Sequence, residues 1–355
     1  MGKHNGQTAT PSVPKGHGIT RTQVRHVVLA MVTFTLLVLA MIASYAGAFA
    51  KPTLHHLDIA VAAPQQVIDA LETRSELDVT AVGDGAAARA LVLERKADAA
   101  FVVAPSGGTG TESTGRLDIY VAGGGGRSVA TAAETVGRTT AAEAGLAPAV
   151  TDIAPTSPGD PSGTVEFYAV IFVSIGASVG AAAFGRLVGP VRRPWTLGLR
   201  TLTLSAYSAL LAGVVTIYVD AALGALTGHP WQVFGALWLY AMAVGGAVTG
   251  VAAAFGTVAA MAVTAFLVIV GNAAAAGPIG RPLLSGFYTT FNHVVPQGSG
   301  VSLLRSIEYF GGNGALTPLG TLMIWAATGC VLAVSATTLR MPGTRQLWQR
   351  VTARA

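Results

Sequence analysis

Residues 231–280 run for 50 positions without one charged side chain. One helix needs about 20 apolar residues to cross the hydrocarbon core of a bilayer. A run this long therefore holds two such helices, 231–252 and 257–276, with a tight hairpin near 253–257. Four further apolar runs have spanning length: 27–50, 167–185, 202–223 and 318–338. Only 11% of the chain is charged, against about 25% in an ordinary soluble domain. The expected fold class is an α-helical polytopic membrane protein with six transmembrane helices.

The charges say which way the helices point. Of 17 acidic residues, 15 fall between Lys51 and Glu166, with 8 Lys/Arg, so that segment carries −7 and the remainder +12. Arg186, Arg192, Arg193 and Arg200 follow the second span with no acid among them, and Arg340, Arg345, Arg350 and Arg354 follow the last. By the positive-inside rule both regions are cytoplasmic. Six spans put the C-terminus on the same side as the basic N-terminal tail, residues 1–26. The expected location is the plasma membrane, multi-pass, with both termini in the cytoplasm. The basic surplus lies beside apolar spans, so it marks topology and no nucleic-acid surface. A cleavable leader is the competing reading of residues 27–50, since Ala48-Phe49-Ala50 mimics a cleavage site. The run of 24 residues exceeds a leader's apolar core of about 7–15, and it is read as an uncleaved first helix.

The acidic segment, residues 51–165, alternates strand and helix patterns. Residues 57–62, 77–82, 99–103, 117–121 and 149–153 read as strands. Residues 64–74, 84–96 and 128–144 read as helices, the second with Asp84 as N-cap. This is an inserted extracytoplasmic α/β domain, closed by the turn-rich linker PTSPGDPSG at 155–163. Residues 106–115 form a Gly/Ser/Thr loop. The glycines at 123–126 read as a strand-to-helix turn, because no phosphate-binding glycine motif surrounds them. His55 and His56, if on a strand, point to opposite faces. One cysteine, Cys330, rules out an intrachain disulfide. No nucleophile–base pair or metal spacing appears, so no catalytic residue, metal or cofactor is expected.

Residues 277–315 are neither a span nor an ordinary loop. Leu283, Leu284, Phe287, Tyr288 and Phe291 share one helical face, and Leu303, Leu304, Ile307 and Phe310 share another. Pro296, Gly298 and Gly300 break the halves apart. The expectation is a pair of amphipathic helices over 281–310 at the outer surface. Arg305 and Glu308, three apart, form a local ion pair in this reading. Thr317 caps and Pro318 opens the sixth span. Gly176/Gly180 and Gly246/Gly250 carry the spacing of close helix packing.

This order of features resembles the ABC-2 type transporter permeases, in particular the phage infection protein-like (YhgE/Pip-like) branch. A first helix precedes an outer α/β domain; PTSPGDPSG then leads into FYAVIFVSIGASVGAAAFG, and VVPQGSGVSLLRSIEYFGG precedes the last of five clustered helices. The resemblance covers roughly 27–340. It implies a homodimer or heterodimer of permease protomers in the lipid bilayer, driven by a separate ABC ATPase, which agrees with the missing P-loop. It places the ATPase-coupling loop at 186–200, with Arg186, Arg192, Arg193 and Arg200, and paired outer helices at 281–310. The family's N-terminal interfacial helix would fall on 20–26, a short segment here.

The function expected from this resemblance is a permease subunit exporting a hydrophobic or amphipathic substrate. The alternative is an envelope protein whose outer domain binds a partner and whose helices only anchor it. Asp220, in the outer part of the third span, either lines a translocation path or simply reaches water. Phe287, Tyr288 and Phe291, with Glu308, are the candidate outer gate.

Overall fold

The structure is a computed structural model that describes residues 20–104, 115–189 and 193–340. Arg192, nearly all of the 106–115 loop and the tail beyond Arg340 lie outside them. The chain divides into two compact units, Met1–Ile42 and Ala43–Ala355. Helix α1 (Arg21–Phe49) starts in the first, where large apolar side chains such as Val28, Phe34 and Leu39 are exposed. It begins at Arg21 without a break, so the short 20–26 segment is the first turn of the long helix and forms no separate one.

Residues 57–152 build a five-stranded mixed sheet in the order β2-β1-β3-β4-β5. In chain order these are β1 (Leu57–Ala62), α2 (Gln65–Glu72), β2 (Leu77–Ala81), α3 (Gly85–Leu93), β3 (Ala99–Ala104), β4 (Arg116–Val121), α4 (Arg127–Glu143) and β5 (Ala147–Asp152). β1 pairs parallel with β2 and β3, β3 pairs antiparallel with β4, and β4 pairs parallel with β5. Asp84 caps α3 as its position requires, accepting a hydrogen bond from the Ala87 amide at 2.7 Å. Alternation along the strands gives each face its own core. Leu57, Ile59 and Val61 pack with Phe101, Leu117 and Ile119 under α2 and α4. Ala60, Ala100 and Val102 face the other way, toward α3.

The helical part follows: α5 (Val165–Leu187), α6 (Pro194–Ile217) with a π-helical turn Tyr218–Ala222, α7 (Pro230–Phe255), and α8 (Thr257–Phe266) with a π-helical turn Leu267–Gly271 and α9 (Asn272–Ala274). Then come a 3-10 turn Arg281–Leu283, α10 (Gly286–Asn292), α11 (Pro296–Tyr309) and α12 (Leu316–Leu339). Six helices, α1, α5, α6, α7, α8–α9 and α12, are long and apolar enough to cross a membrane. The charge-free run folds as a hairpin: Gly256, at φ 92, ends α7 and begins α8, and Ala260 comes back against Val248.

α7 is the central helix, packed against α5, α6, α11 and α12. Its crossing with α12 is set by glycines. A Cβ on Gly250 or on Gly329 would collide with the other helix's backbone. On α5, Gly180 leaves room for the Tyr207 ring, whose hydroxyl donates to the Gly176 carbonyl at 3.2 Å.

Two sequence readings change here. α6 begins at Pro194, so Arg200 sits inside a helix, only 5% exposed, with its guanidinium on the Ala181 carbonyl at 3.4 Å. α12 begins at Leu316, which puts Thr317 and Pro318 in its first turn. A third change concerns 277–315. Pro296 is the first residue of α11, and Gly298 and Gly300 lie within its opening turns rather than separating two halves. Leu283 and Leu284 belong to the preceding 3-10 turn and its cap. α11 is also no surface helix. Eleven of its 14 residues are buried, polar ones included.

Prediction: Gly329→Leu forces the α7–α12 backbones apart. It should lower stability by about 2 kcal/mol or more, read as a drop in Tm of the purified chain. Gly320→Leu, on the same helix with nothing near its Cβ, should leave Tm unchanged.

Candidate functional site

α11 joins the two parts. Its last aromatics complete the second face of the sheet: Tyr309 and Phe310 pack with Ala60, Ala88, Ala100 and Ala122. The 123–126 turn approaches so closely that a side chain on Gly124 would run into Tyr309. Those glycines therefore serve a docking contact as well as a turn. Asp152 holds the turn in place, accepting from the Gly123 and Ala154 amides at 3.1 and 3.2 Å.

Arg305 is the lock. It is 5% exposed, yet no carboxylate meets it among the described residues. Its guanidinium donates instead to three backbone carbonyls: Gly125 of the sheet domain at 3.0 Å, Gly163 of the linker at 3.1 Å and Gly277 after α9 at 2.9 Å. Charge-assisted bonds of this kind are the strong class of hydrogen bond. The expected Arg305–Glu308 pair is not formed. Arg305 turns inward to the carbonyls, while Glu308 accepts from the Gly228 amide at 2.9 Å, in the loop after α6.

A second arginine crosses the same boundary. Arg95, in the turn between α3 and β3, donates to the Ser302 carbonyl at 2.7 Å and the Ser306 hydroxyl at 2.6 Å, with its guanidinium over the Phe310 ring. Burial, then the neighbouring charge of Arg305, pushes its pKa down to about 10.

Between the two parts lies a cavity of about 380 Å³. The sheet side contributes His55, His56, Asp58, Arg95, Lys96 and Asp98. The helical side contributes Arg281, Asn292, His293, Ser299, Ser302 and Arg305. Four permanent cations face two carboxylates, a surplus of two. His55 and His56 precede β1, and His56 has φ 51. Because they are not on a strand, both reach this cavity rather than opposite faces. Burial raises the pKa of Asp98 to about 6. Burial also raises that of Asp58, helped by Asp78, and burial lowers that of His293, helped by Arg281.

The predicted gate residues lie elsewhere. Phe287 is exposed, Tyr288 donates to the Ser44 hydroxyl at 3.1 Å, and Phe291 meets Phe266 edge to face. The cavity takes the opposite side of α10, Thr289, Asn292 and His293. Asp220 stands on the π-helical turn after α6, half-buried, and does not line the cavity. Arg186 ends α5 and Arg193 caps α6, at the end of the bundle away from the sheet. Sequence reading missed Arg95, Asp98, Arg281 and Arg305. For Arg305 there was a signal: its charge sits in a helix whose polar positions are mostly Gly and Ser, sized for close packing.

One buried acid lies beside the Tyr309 contact. Glu166, in the first turn of α5, is fully buried and faces the Tyr309 hydroxyl. Burial raises the pKa of the Tyr309 hydroxyl, and the Glu166 carboxylate facing it adds to the rise.

No family model matches this chain, and the comparisons with curated proteins and with solved structures found no match.

Two predictions test this site. Arg305→Met leaves three buried carbonyls short of a donor and should cost about 3 kcal/mol or more. The linker 155–163 should then become sensitive to limited proteolysis while the wild-type resists. For Asp98 the sign runs through proton binding. An unfolded Asp titrates near about 3.9, and the folded one near about 6. The folded state holds the extra proton, so its stability is full below about pH 4 and falls as pH rises through about 6. Asp98→Asn should therefore gain up to about 3 kcal/mol over wild-type between pH 4 and 8. A pH-independent difference in Tm would remove Asp98 as the cause.

Proposed function

We propose that the protein is a membrane-embedded permease subunit of an ABC-2 type exporter. It works as a dimer, it is driven by a separate ATPase, and its sheet domain covers the outer mouth of the helices. The six apolar helices support the membrane assignment. The distribution of charge supports the orientation. Arg186, Arg193 and Arg340 lie at the end of the bundle opposite the acidic sheet domain, as the positive-inside rule asks of a cytoplasmic face.

The observation that carries the proposal is the shared construction of domain and bundle. The sheet's second core is finished by Tyr309 and Phe310, and Arg305 ties three segments together beside a common cavity. A partner-binding module on a passive anchor has no need of such an arrangement. A vestibule above a translocation route does. The small residues at the α7–α12 crossing suit helices that pack closely in lipid. Coupling to the ATPase falls to Arg186 and Arg193, which flank the α5–α6 connection. Arg200, buried between α5 and α6, holds those helices together instead.

Orientation is tested with Cys330→Ser as background. A cysteine placed at Gly145 should react with a membrane-impermeant maleimide on whole cells, and one at Gly189 only after lysis; the reverse pattern rejects the topology. Transport is tested by isolating the chain from its native membrane. An ABC ATPase should accompany it, and Arg186→Glu with Arg193→Glu should cut its stimulated ATP hydrolysis at least tenfold at unchanged Tm. Recovery of the chain without any ATPase rejects the exporter. Asp220→Asn should reduce transport at normal expression; unchanged transport removes Asp220 from the route.

A further inference from the structure

We infer that the cavity between the sheet domain and the helices binds the phosphate group of an anionic amphiphile, held by Arg95, Arg281, Arg305 and Lys96. This rests on the reading of the helices as membrane spans.

The electrostatics come first. Among the described residues Arg95, Arg281 and Arg305 form no ion pair, and Lys96 is held only by exposed Glu94. Asp58 and Asp98 line the same cavity and act on Arg281, and Asp98 also on Arg95, but two carboxylates against four cations leave a positive surplus beside Arg95 and the buried Arg305. Burying charge without full compensation is costly. Arg95 and Arg305 are close enough to repel each other. An anion placed between the two walls relieves both penalties.

The donors are in place. Arg95 engages the protein through Nη1 alone, on Ser302 and Ser306. Among the described residues its Nη2 and Nε protons have no hydrogen-bond partner. That is the free edge of the planar fork suited to phosphate. Gly298 and Ser299, in the first turns of the 14-residue α11, line the same cavity. They bring the positive end of a helix dipole to the cavity wall. The Ser299 hydroxyl, in the same wall, adds a donor that a phosphate, with its several acceptor oxygens, uses better than a carboxylate does.

The remaining wall argues for an amphiphile. Val92, Val129, Ala275, Pro282, Val301 and Phe310 are apolar. The volume of about 380 Å³ is at the small end for ligand sites, about 300–1,000 Å³. It accommodates a headgroup and the start of its chains. It also lies at the sheet-domain end of the bundle, the level of a lipid headgroup in the proposed orientation.

The test uses the full chain in detergent, titrated with mixed micelles containing phosphatidic acid or phosphatidylcholine, and separately with inorganic phosphate. Phosphatidic acid should bind at least tenfold tighter than the zwitterionic lipid. Arg281→Ala with Lys96→Ala should weaken it at least tenfold at nearly unchanged Tm, since both residues are exposed. Arg95→Gln is the second variant, with the same expected loss. Equal binding of the two lipids, or undiminished binding by both variants, overturns the proposal. If inorganic phosphate competes as strongly as phosphatidic acid, the ligand is a free phosphate compound and the amphiphile is rejected. Failure of the membrane reading shows differently: the chain then stays monodisperse without detergent, and the phosphate titration alone reads the cavity.

Discussion

Everything at the junction depends on one buried guanidinium that, among the described residues, pairs with no acid. Arg305 bonds carbonyls from the sheet domain, the linker and the segment after α9. A carboxylate partner would have joined α11 to one place. Three carbonyls join it to three, and other contacts, such as the Ser128 hydroxyl on the Pro278 carbonyl at 2.9 Å, bring the same stretches together. Glycine supplies all three carbonyls, which lets the backbone come within reach of the charge. Because the charge remains uncompensated, the same interaction that fixes the architecture leaves the adjoining cavity positive.

From this follows the dual nature of α11. One end, through Tyr309 and Phe310, belongs to the core of the sheet domain. Its middle, through Val301, Leu303 and Leu304, belongs to the helical core with Val244 and Leu267. Gln297 ties its start to the bundle, donating to the Leu267 carbonyl at 2.9 Å and the Ser174 hydroxyl at 3.2 Å. The Leu267 carbonyl sits on a π-helical turn, where the ordinary helical ladder shifts by one residue and frees acceptors.

Much of this was legible in residue order and part was not. The apolar runs gave the long helices, because uninterrupted hydrophobicity of that length has few other solutions. Strand–helix alternation gave the elements of the sheet domain to within a few residues. α11 was misjudged for a physical reason: a helical face of Leu303, Leu304, Ile307 and Phe310 says that one side is buried, but not that the other side meets water. Here the other side meets protein, and its small residues, Gly298, Ser299, Gly300 and Ser302, were the available hint. Arg305 and Glu308 looked like a local pair because spacing on a helix shows what can touch, not which long-range partner competes. Arg200 looked like loop because the start of α6 was placed eight residues late, at 202 rather than Pro194. The cavity could not be read at all, since His55, Arg95, Arg281 and Arg305 are brought together only by the docking of distant segments.

The completion of the sheet by Tyr309 and Phe310 also sets an order of events during synthesis. All five strands leave the ribosome by residue 152, but one face of their sheet, with α3 already on it, lacks Tyr309 and Phe310 until residue 310 follows, some 160 positions later. At the mean translation rate of about 5–20 residues per second, that is a delay of roughly ten to thirty seconds. During it Ala122 and Ala154, in the same core as Ala60 and Ala100, wait without those two rings. The domain is thus first in the chain and last to be finished. Any truncation before α11 leaves the cell with an unsealed sheet, a surface that chaperones and proteases recognise.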